Sequence, residues 1–146
     1  MKVYWANSIF SEADREFNTK CVAELRSRGF QVLNPQEKPF NHPEGAADAL
    51  SIFHTDTQMI RECDVFVACI DQEAIDAGVA CELGIAWSWT KQVFALYTDF
   101  RQFRSGEYRM YKNPYVVGCI QDRGRIAKSL TGLVAQLENI RTDASA

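Results

Sequence analysis

The run Val65-Phe66-Val67-Ala68-Cys69-Ile70 is apolar without interruption and is bracketed by Asp64 and Asp71. A strand with one wet face alternates apolar and polar residues. An unbroken run between acidic brackets therefore describes a strand covered on both faces, as in the middle of a parallel sheet. Other short runs fit the same scheme. Val3 to Ala6 reads as a first strand, Phe30 to Leu33 as a second, Val93 to Tyr97 as a fourth and Tyr115 to Ile120 as a fifth.

Helical periods fill the intervals. Ser11 is placed to cap a helix whose first turn holds Glu12 and Asp14, and Phe17, Cys21, Val22 and Leu25 form its apolar stripe before Gly29 ends it. Pro35, Pro39, Pro43 and Gly45 mark a loop, and a helical pattern returns from Ala46 to Cys63. A loop from Asp71 to Gly78 leads into a helix ending near Trp89, and Thr98 to Lys112 reads as irregular. A last amphipathic helix spans Ile126 to Ile140, followed by a polar tail over 141–146. The expected fold is one α/β domain over 1–140, a doubly wound five-stranded parallel sheet with helices on both faces, flavodoxin-like or Rossmann-like. Ligands of such folds bind beyond the carboxyl ends of the strands, so the loops starting at Asn7, Asn34, Asp71 and Thr98 are the ones to inspect.

Composition narrows the function by exclusion. With 47% hydrophobic and 24% charged residues among 146, the chain can build a core. A net charge of -3 gives no electrostatic reason to bind a nucleic-acid polymer or an anionic membrane. No apolar run approaches the roughly 20 residues of a membrane-spanning helix, and the start of the chain does not read as a signal peptide. Cys21, Cys63, Cys69, Cys81 and Cys119 are scattered, which suits buried thiols in a reducing cytoplasm, the expected location. Cys81 is expected to be one of these buried thiols. With His42 and His54 the only histidines, no metal site is expected. Neither G-x-x-x-x-G-K-[ST] nor G-x-G-x-x-G occurs, so no nucleotide cofactor is expected either.

The strand ends offer carboxylates instead: Asp71, Glu73, Asp76, Glu82 and Asp99. Glu82 falls early in the helix beginning near Ala77, where the helix N-terminus favours its ionised form. An ionised carboxylate held in place can attack a sugar carbon, provided that a second acid such as Asp56 or Asp76 protonates the leaving group. An acidic residue near a helix start is equally explained by local electrostatics, and the residues alone leave both readings open.

The stretch Asp76-Ala-Gly-Val-Ala-Cys-Glu82-Leu-Gly84 resembles the core signature of the nucleoside 2-deoxyribosyltransferases, and the resemblance extends over about residues 2 to 121. Tyr4-Trp5-Ala6-Asn7-Ser8-Ile9-Phe10-Ser11, Val32-Leu33-Asn34-Pro35-Gln36, Asp56 to Val65, Thr98 to Arg101 and Asn113 to Gly118 follow the family's order. The resemblance implies transfer of a 2-deoxyribosyl group between bases by a retaining ping-pong route. Glu82 would be the nucleophile, Tyr4 would orient it, and Asp56 would give and take the base's proton. Asp76 would hold the sugar hydroxyls, with Asn113 delivered from a neighbouring subunit of a dimer or hexamer. Gln36, Phe10, Ser8 and Gly78 would line the pocket. Implied partners are 2'-deoxynucleosides and free purine or pyrimidine bases, with no cofactor.

Two rival readings remain. Relatives of the same fold hydrolyse deoxynucleoside 5'-monophosphates and carry a serine where Asp76 stands. A carboxylate there would repel a phosphate, which favours free nucleosides, although Ser8 matches a serine that those hydrolases also have. The other rival is a non-catalytic nucleoside or nucleotide sensor, and the joint presence of Tyr4, Asp56, Asp76 and Glu82 argues against it.

Overall fold

The computed structural model describes residues 1–42, 44–45, 48–100 and 112–143. Five parallel strands lie in the order β2-β1-β3-β4-β5: β1 (Lys2–Ala6), β2 (Gln31–Leu33), β3 (Val65–Cys69), β4 (Gln92–Leu96) and β5 (Ile126–Ala127). Order reverses between β1 and β3, the switch point at which such sheets bind ligands. The helices are α1 (Glu12–Ser27), α2 (Ala49–Glu62), α3 (Ala77–Ser88), α4 (Pro114–Arg123) and α5 (Leu130–Asp143), with single 3-10 turns at Pro35–Glu37 and Pro39–Asn41.

Alternation along the strands divides the core. Val3, Trp5, Val65, Val67 and Cys69 pack under Cys21, Val22 and Leu25 of α1 and Leu133, Val134 and Leu137 of α5. Tyr4, Ala6, Phe66, Ala68 and Ile70 face Met59 and Ile60 of α2, Val79, Leu83 and Ala86 of α3 and Ile120 of α4. β3 is buried at every position, as its unbroken apolar run requires. Ser11 caps α1 by accepting from Asp14 N at 3.0 Å, and Asp48 caps α2 by accepting from Leu50 N at 3.2 Å.

The end of the chain departs from the expectation. Tyr115 to Ile120 is not the fifth strand but most of α4. Asn113 caps it by accepting from Tyr115 N at 2.9 Å, Pro114 stands at N1, and the buried Val117 and Ile120 are three apart while Tyr115 and Gly118 are exposed. The fifth strand is the short Ile126–Ala127 pairing with β4, within the stretch expected to begin the last helix. That helix starts at Leu130 and runs to Asp143, three residues into the stretch read as a tail, where Arg141 donates to Arg28 O at 2.9 Å. The loop expected over 98–112 lies mostly outside the described residues, and so does the end of the tail.

Trp87 and Trp89 are both engaged within the chain. The Trp87 indole donates to Asp122 at 2.8 Å, and the Arg61 guanidinium lies 5.0 Å from the Trp89 ring centroid. Cys81, expected to be buried, is exposed, while Cys21, Cys63 and Cys69 are buried. Among the described residues no helix is long and apolar enough to cross a membrane.

Gly124 makes the short β5 possible. A Cβ there would meet Val93 O at 1.8 Å, so only a bare backbone can approach β4 closely enough. Gly124→Ala should lower stability by about 3 kcal/mol, measured by urea unfolding. An unchanged midpoint would contradict this approach.

Candidate active site

Three helical and strand positions bring acid groups together beside the switch point. Tyr4 is in the middle of β1, fully buried, its ring 5.2 Å from that of Phe66 on β3. Asp56 occupies a core-facing position of α2, in one stripe with the buried Met59, Ile60 and Cys63. Glu82 is half-buried in the second turn of α3, beside the buried Val79, Leu83 and Ala86. A carboxylate placed in an apolar stripe costs solvation unless it is paired or hydrogen-bonded.

The electrostatics reflect that cost. Burial pushes the Asp56 carboxyl up to about 6, with Lys38 opposing the rise, and its Oδ1 is buried without a hydrogen-bond partner. Glu82 is pushed up to about 8, first by burial, then by the charge of Asp56 and to a lesser degree of Asp76, against a lowering contribution from the Tyr4 hydroxyl. Desolvation and a neighbouring carboxylate thus work against the ionised form that the helix start, more than a turn away, favours at Glu82. Burial and the charges of Glu82 and Asp56 hold the Tyr4 phenol well above its ordinary range, so it stays a donor. Its hydroxyl has no partner at ordinary hydrogen-bond geometry, yet it is near enough to Glu82 to favour the ionised carboxylate.

Asp76 is the N-cap of α3, its Oδ1 accepting from Val79 N at 3.1 Å. Gly78 leaves that carboxylate room, since a Cβ there would stand 3.0 Å from Asp76 Oδ1. Asn113 is exposed at the start of α4, where its side chain caps the helix. The remaining expected residues lie toward α1. Phe10 is 82% exposed, and the Ser8 hydroxyl donates to Asp14 at 3.0 Å. The Gln36 amide is occupied: it accepts from Asn18 at 2.9 Å and donates to Arg15 O at 3.2 Å and Thr19 Oγ1 at 3.3 Å. Phe10 and Gln36 line a cleft of about 1100 Å³ with Arg15, Phe40, His42 and Ile52. Tyr4, Asp56 and Glu82 are not in its lining, but Ile52 is one helical turn before Asp56 on α2, so the cleft adjoins the carboxylates rather than containing them.

A buried polar network supports these loops and was not expected from the sequence. Asn18, fully buried on α1, accepts from Trp5 Nε1 at 2.8 Å and Asn7 Nδ2 at 2.7 Å, and donates to Ser8 O at 3.0 Å as well as to Gln36. Asn7 accepts in turn from Gln72, whose carbonyl accepts from the Lys112 ammonium next to Asn113. The available signal was an asparagine interrupting the apolar stripe of α1 between Phe17 and Cys21, since a buried amide requires partners. Asp71 has a structural task as well, accepting from Thr98 N, the Thr98 hydroxyl and Asp99 N to tie the end of β3 to that of β4.

Comparison with known proteins adds a family. The profile described as Nucleoside 2-deoxyribosyltransferase matches residues 3–142. No significant match is found among curated proteins. Among solved structures, a conserved protein from Enterococcus faecalis V583 is 32% identical, with TM-score 0.82 over 95% of this chain and 98% of that one. A 2-deoxyribosyltransferase from Bacillus psychrosaccharolyticus is 23% identical, with TM-score 0.71 over 92% of this chain and 90% of that one. The Clostridium botulinum CMP N-glycosidase BcmB is 19% identical, with TM-score 0.61 over 94% and 98%. The last two share the fold.

The raised carboxyls tie stability to pH. Asp56 and Glu82 leave ordinary values of 3.8 and 4.5 for about 6 and about 8, so the folded chain holds protons that the unfolded chain releases. Their contribution is most favourable below the unfolded values and is lost as pH rises through the folded ones. Glu82→Gln should therefore raise Tm at pH 8.5 by about 5 °C, or roughly 2 kcal/mol for a chain of this size, and leave it nearly unchanged at pH 5. Equal shifts at both pH values would contradict a burial-driven rise.

Proposed function

The chain belongs to the nucleoside 2-deoxyribosyltransferase family, enzymes acting on N-glycosidic bonds, and on that premise we propose that it transfers 2-deoxyribose between nucleobases through a covalent sugar–Glu82 intermediate. The observation that carries the reading is that the buried Asp56 and the half-buried Glu82 come together beside Tyr4. Between pH of about 6 and about 8 the pair holds one proton in total, the number that the reaction consumes and returns. A base edge accepting from Asp56 favours the proton there. Glu82 is then the carboxylate and Asp56 the acid.

In the first half-reaction a Glu82 oxygen bonds to the anomeric carbon as the carbon–nitrogen bond breaks. The electron pair goes to the base nitrogen system, which takes the Asp56 proton. In the second half a new base loses its proton to Asp56 and its nitrogen displaces Glu82, so configuration is retained by two inversions. Tyr4 orients Glu82 and stabilises its charge. No step assigns a task to a metal or cofactor.

Asp76 supports free nucleosides over nucleotides. A helix N-terminus is a natural phosphate site, but here the N-terminus of α3 is filled by the Asp76 carboxylate, which suits a sugar hydroxyl and repels a phosphate. The proposal extends to a homo-oligomer, dimer or hexamer, in which Asn113, exposed at the start of α4, completes the 5'-hydroxyl site of a neighbouring subunit. Phe10 and the stem of Gln36 line the base side, with Ser8 shaping the loop and Gly78 keeping the helix start open.

Incubation with deoxyinosine and adenine should yield deoxyadenosine, and Glu82→Ala should reduce the rate by about 1000-fold or more without unfolding the chain. Free base released only from deoxynucleoside monophosphates would replace transfer by hydrolysis. The kcat/KM profile should be bell-shaped, with limbs near 6 and 8, and a profile with a single limb would contradict the one-proton pair.

A further inference from the structure

We infer that Asn18 is a positioning residue for base choice: it locks the Gln36 amide so that a ligand in the adjoining cleft meets only an acceptor there. The site then prefers bases that offer Gln36 an amino group to those that offer an oxo group. The inference rests on the proposed deoxyribosyl transfer and names the substrate preference of that same site.

The lock starts from groups that have no choice of role. The Trp5 indole N–H can only donate, and it lies 2.8 Å from Asn18 Oδ1. The Ser8 carbonyl can only accept, and it lies 3.0 Å from Asn18 Nδ2. Asn18, fully buried on α1, is thereby fixed with its amino group toward Gln36 Oε1 at 2.9 Å. The Gln36 amino group is fixed in turn, donating to Arg15 O at 3.2 Å and to Thr19 Oγ1 at 3.3 Å. A side-chain amide has two donor hydrogens and two acceptor sites. Both hydrogens of Gln36 and one of its acceptor sites are engaged, so among the described residues a single acceptor site on Oε1 stays open.

Gln36 lines the cleft of about 1100 Å³ together with Ile52 of α2. Ile52 precedes Asp56 by four residues on one helix face, a rise of about 6 Å. A base whose proton is handled by Asp56 thus extends toward the cleft that Gln36 lines. Adenine carries an exocyclic amino donor, and hypoxanthine carries an oxygen acceptor in its place. The amino group satisfies the open lone pair of Gln36, whereas the oxygen sets a second lone pair against it. An unconstrained glutamine would turn over and serve either group. Gln36 cannot turn without setting its amino group against that of Asn18 and its oxygen against Arg15 O.

Calorimetric titration with adenine, unsubstituted purine and hypoxanthine should give affinities falling in that order, with adenine about tenfold tighter than hypoxanthine. Gln36→Met, which removes the amide but keeps the length of the side chain, should bring that ratio near unity. Asn18→Asp can still accept from Trp5 and Asn7 but offers Gln36 only oxygens, so the amide turns over and the ratio should fall to unity or invert. In the Gln36→Met background the same change should leave the ratio unaltered, because Asn18 acts through Gln36. Ratios cancel a general loss of folded protein, and thermal unfolding of each variant verifies the fold. Should Asn18→Asp fail to fold, hydrogen exchange on the wild-type chain decides. Both side-chain amide hydrogens of Gln36, identified by their loss in Gln36→Met, should exchange more slowly than those of the exposed Gln121. Hypoxanthine bound as tightly as adenine, an unchanged ratio in Gln36→Met, a further fall on adding Asn18→Asp to it, or unprotected Gln36 hydrogens would overturn the assignment. Absence of transfer by the wild-type chain would sink the functional reading instead, and the base-binding ratios would still decide the role of Asn18. A chain that binds none of the three bases fails on both counts.

Discussion

β1 and β3 are hydrogen-bonded neighbours buried on both faces, so each side chain of these strands commits to one of two cores. Trp5 turns toward α1 and α5, and Tyr4 necessarily turns toward α2 and α3. That parity places a phenol under the two helices that carry Asp56 and Glu82. A one-residue slip would exchange the faces and put an indole where the phenol now lies beside the carboxylates. Site and core are therefore one construction, and the register Tyr4 to Phe66 belongs to both.

The site is also where the fold gives up stability. Asp56 and Glu82 occupy positions that an aliphatic residue would fill more favourably, and their raised proton affinities measure the solvation lost there. The neighbouring buried amides carry no comparable penalty, because Asn18 satisfies two donors and two acceptors at once. It joins loops from the ends of β1 and β2 to α1, while Asn7 and Gln72 extend the linkage to β3. The polar residues around the switch point thus divide into a satisfied set that holds the loops and an unsatisfied set available to a substrate.

Much of this was legible along the chain. The first four strands, the capped helix at Ser11 and the approach of Tyr4, Asp56, Asp76 and Glu82 to one strand-end region follow from local patterns and the family signature. The misreadings have specific causes. Tyr115 to Ile120 is rich in β-branched and aromatic residues, but Asn113-Pro114 is a helix start and the buried positions are three apart. Ile126–Ala127 is too short to register as a strand without β4 beside it. Glu82 looks favoured as an anion by its helix, and the opposing influences of Asp56 and of lost water come only from the folded chain.

What the amino-acid sequence determined is what nearest neighbours and periodicity decide: the parallel sheet, the double coverage of Val65 to Ile70, and the residue types able to perform glycosyl chemistry. What only the tertiary structure decided is set by contacts distant in sequence. These include the burial that raises the proton affinities of Asp56 and Glu82 and the engagement of Gln36 by Asn18. Solvation and charge act through space, so groups separated by many residues set one another's chemistry once folding has brought them together.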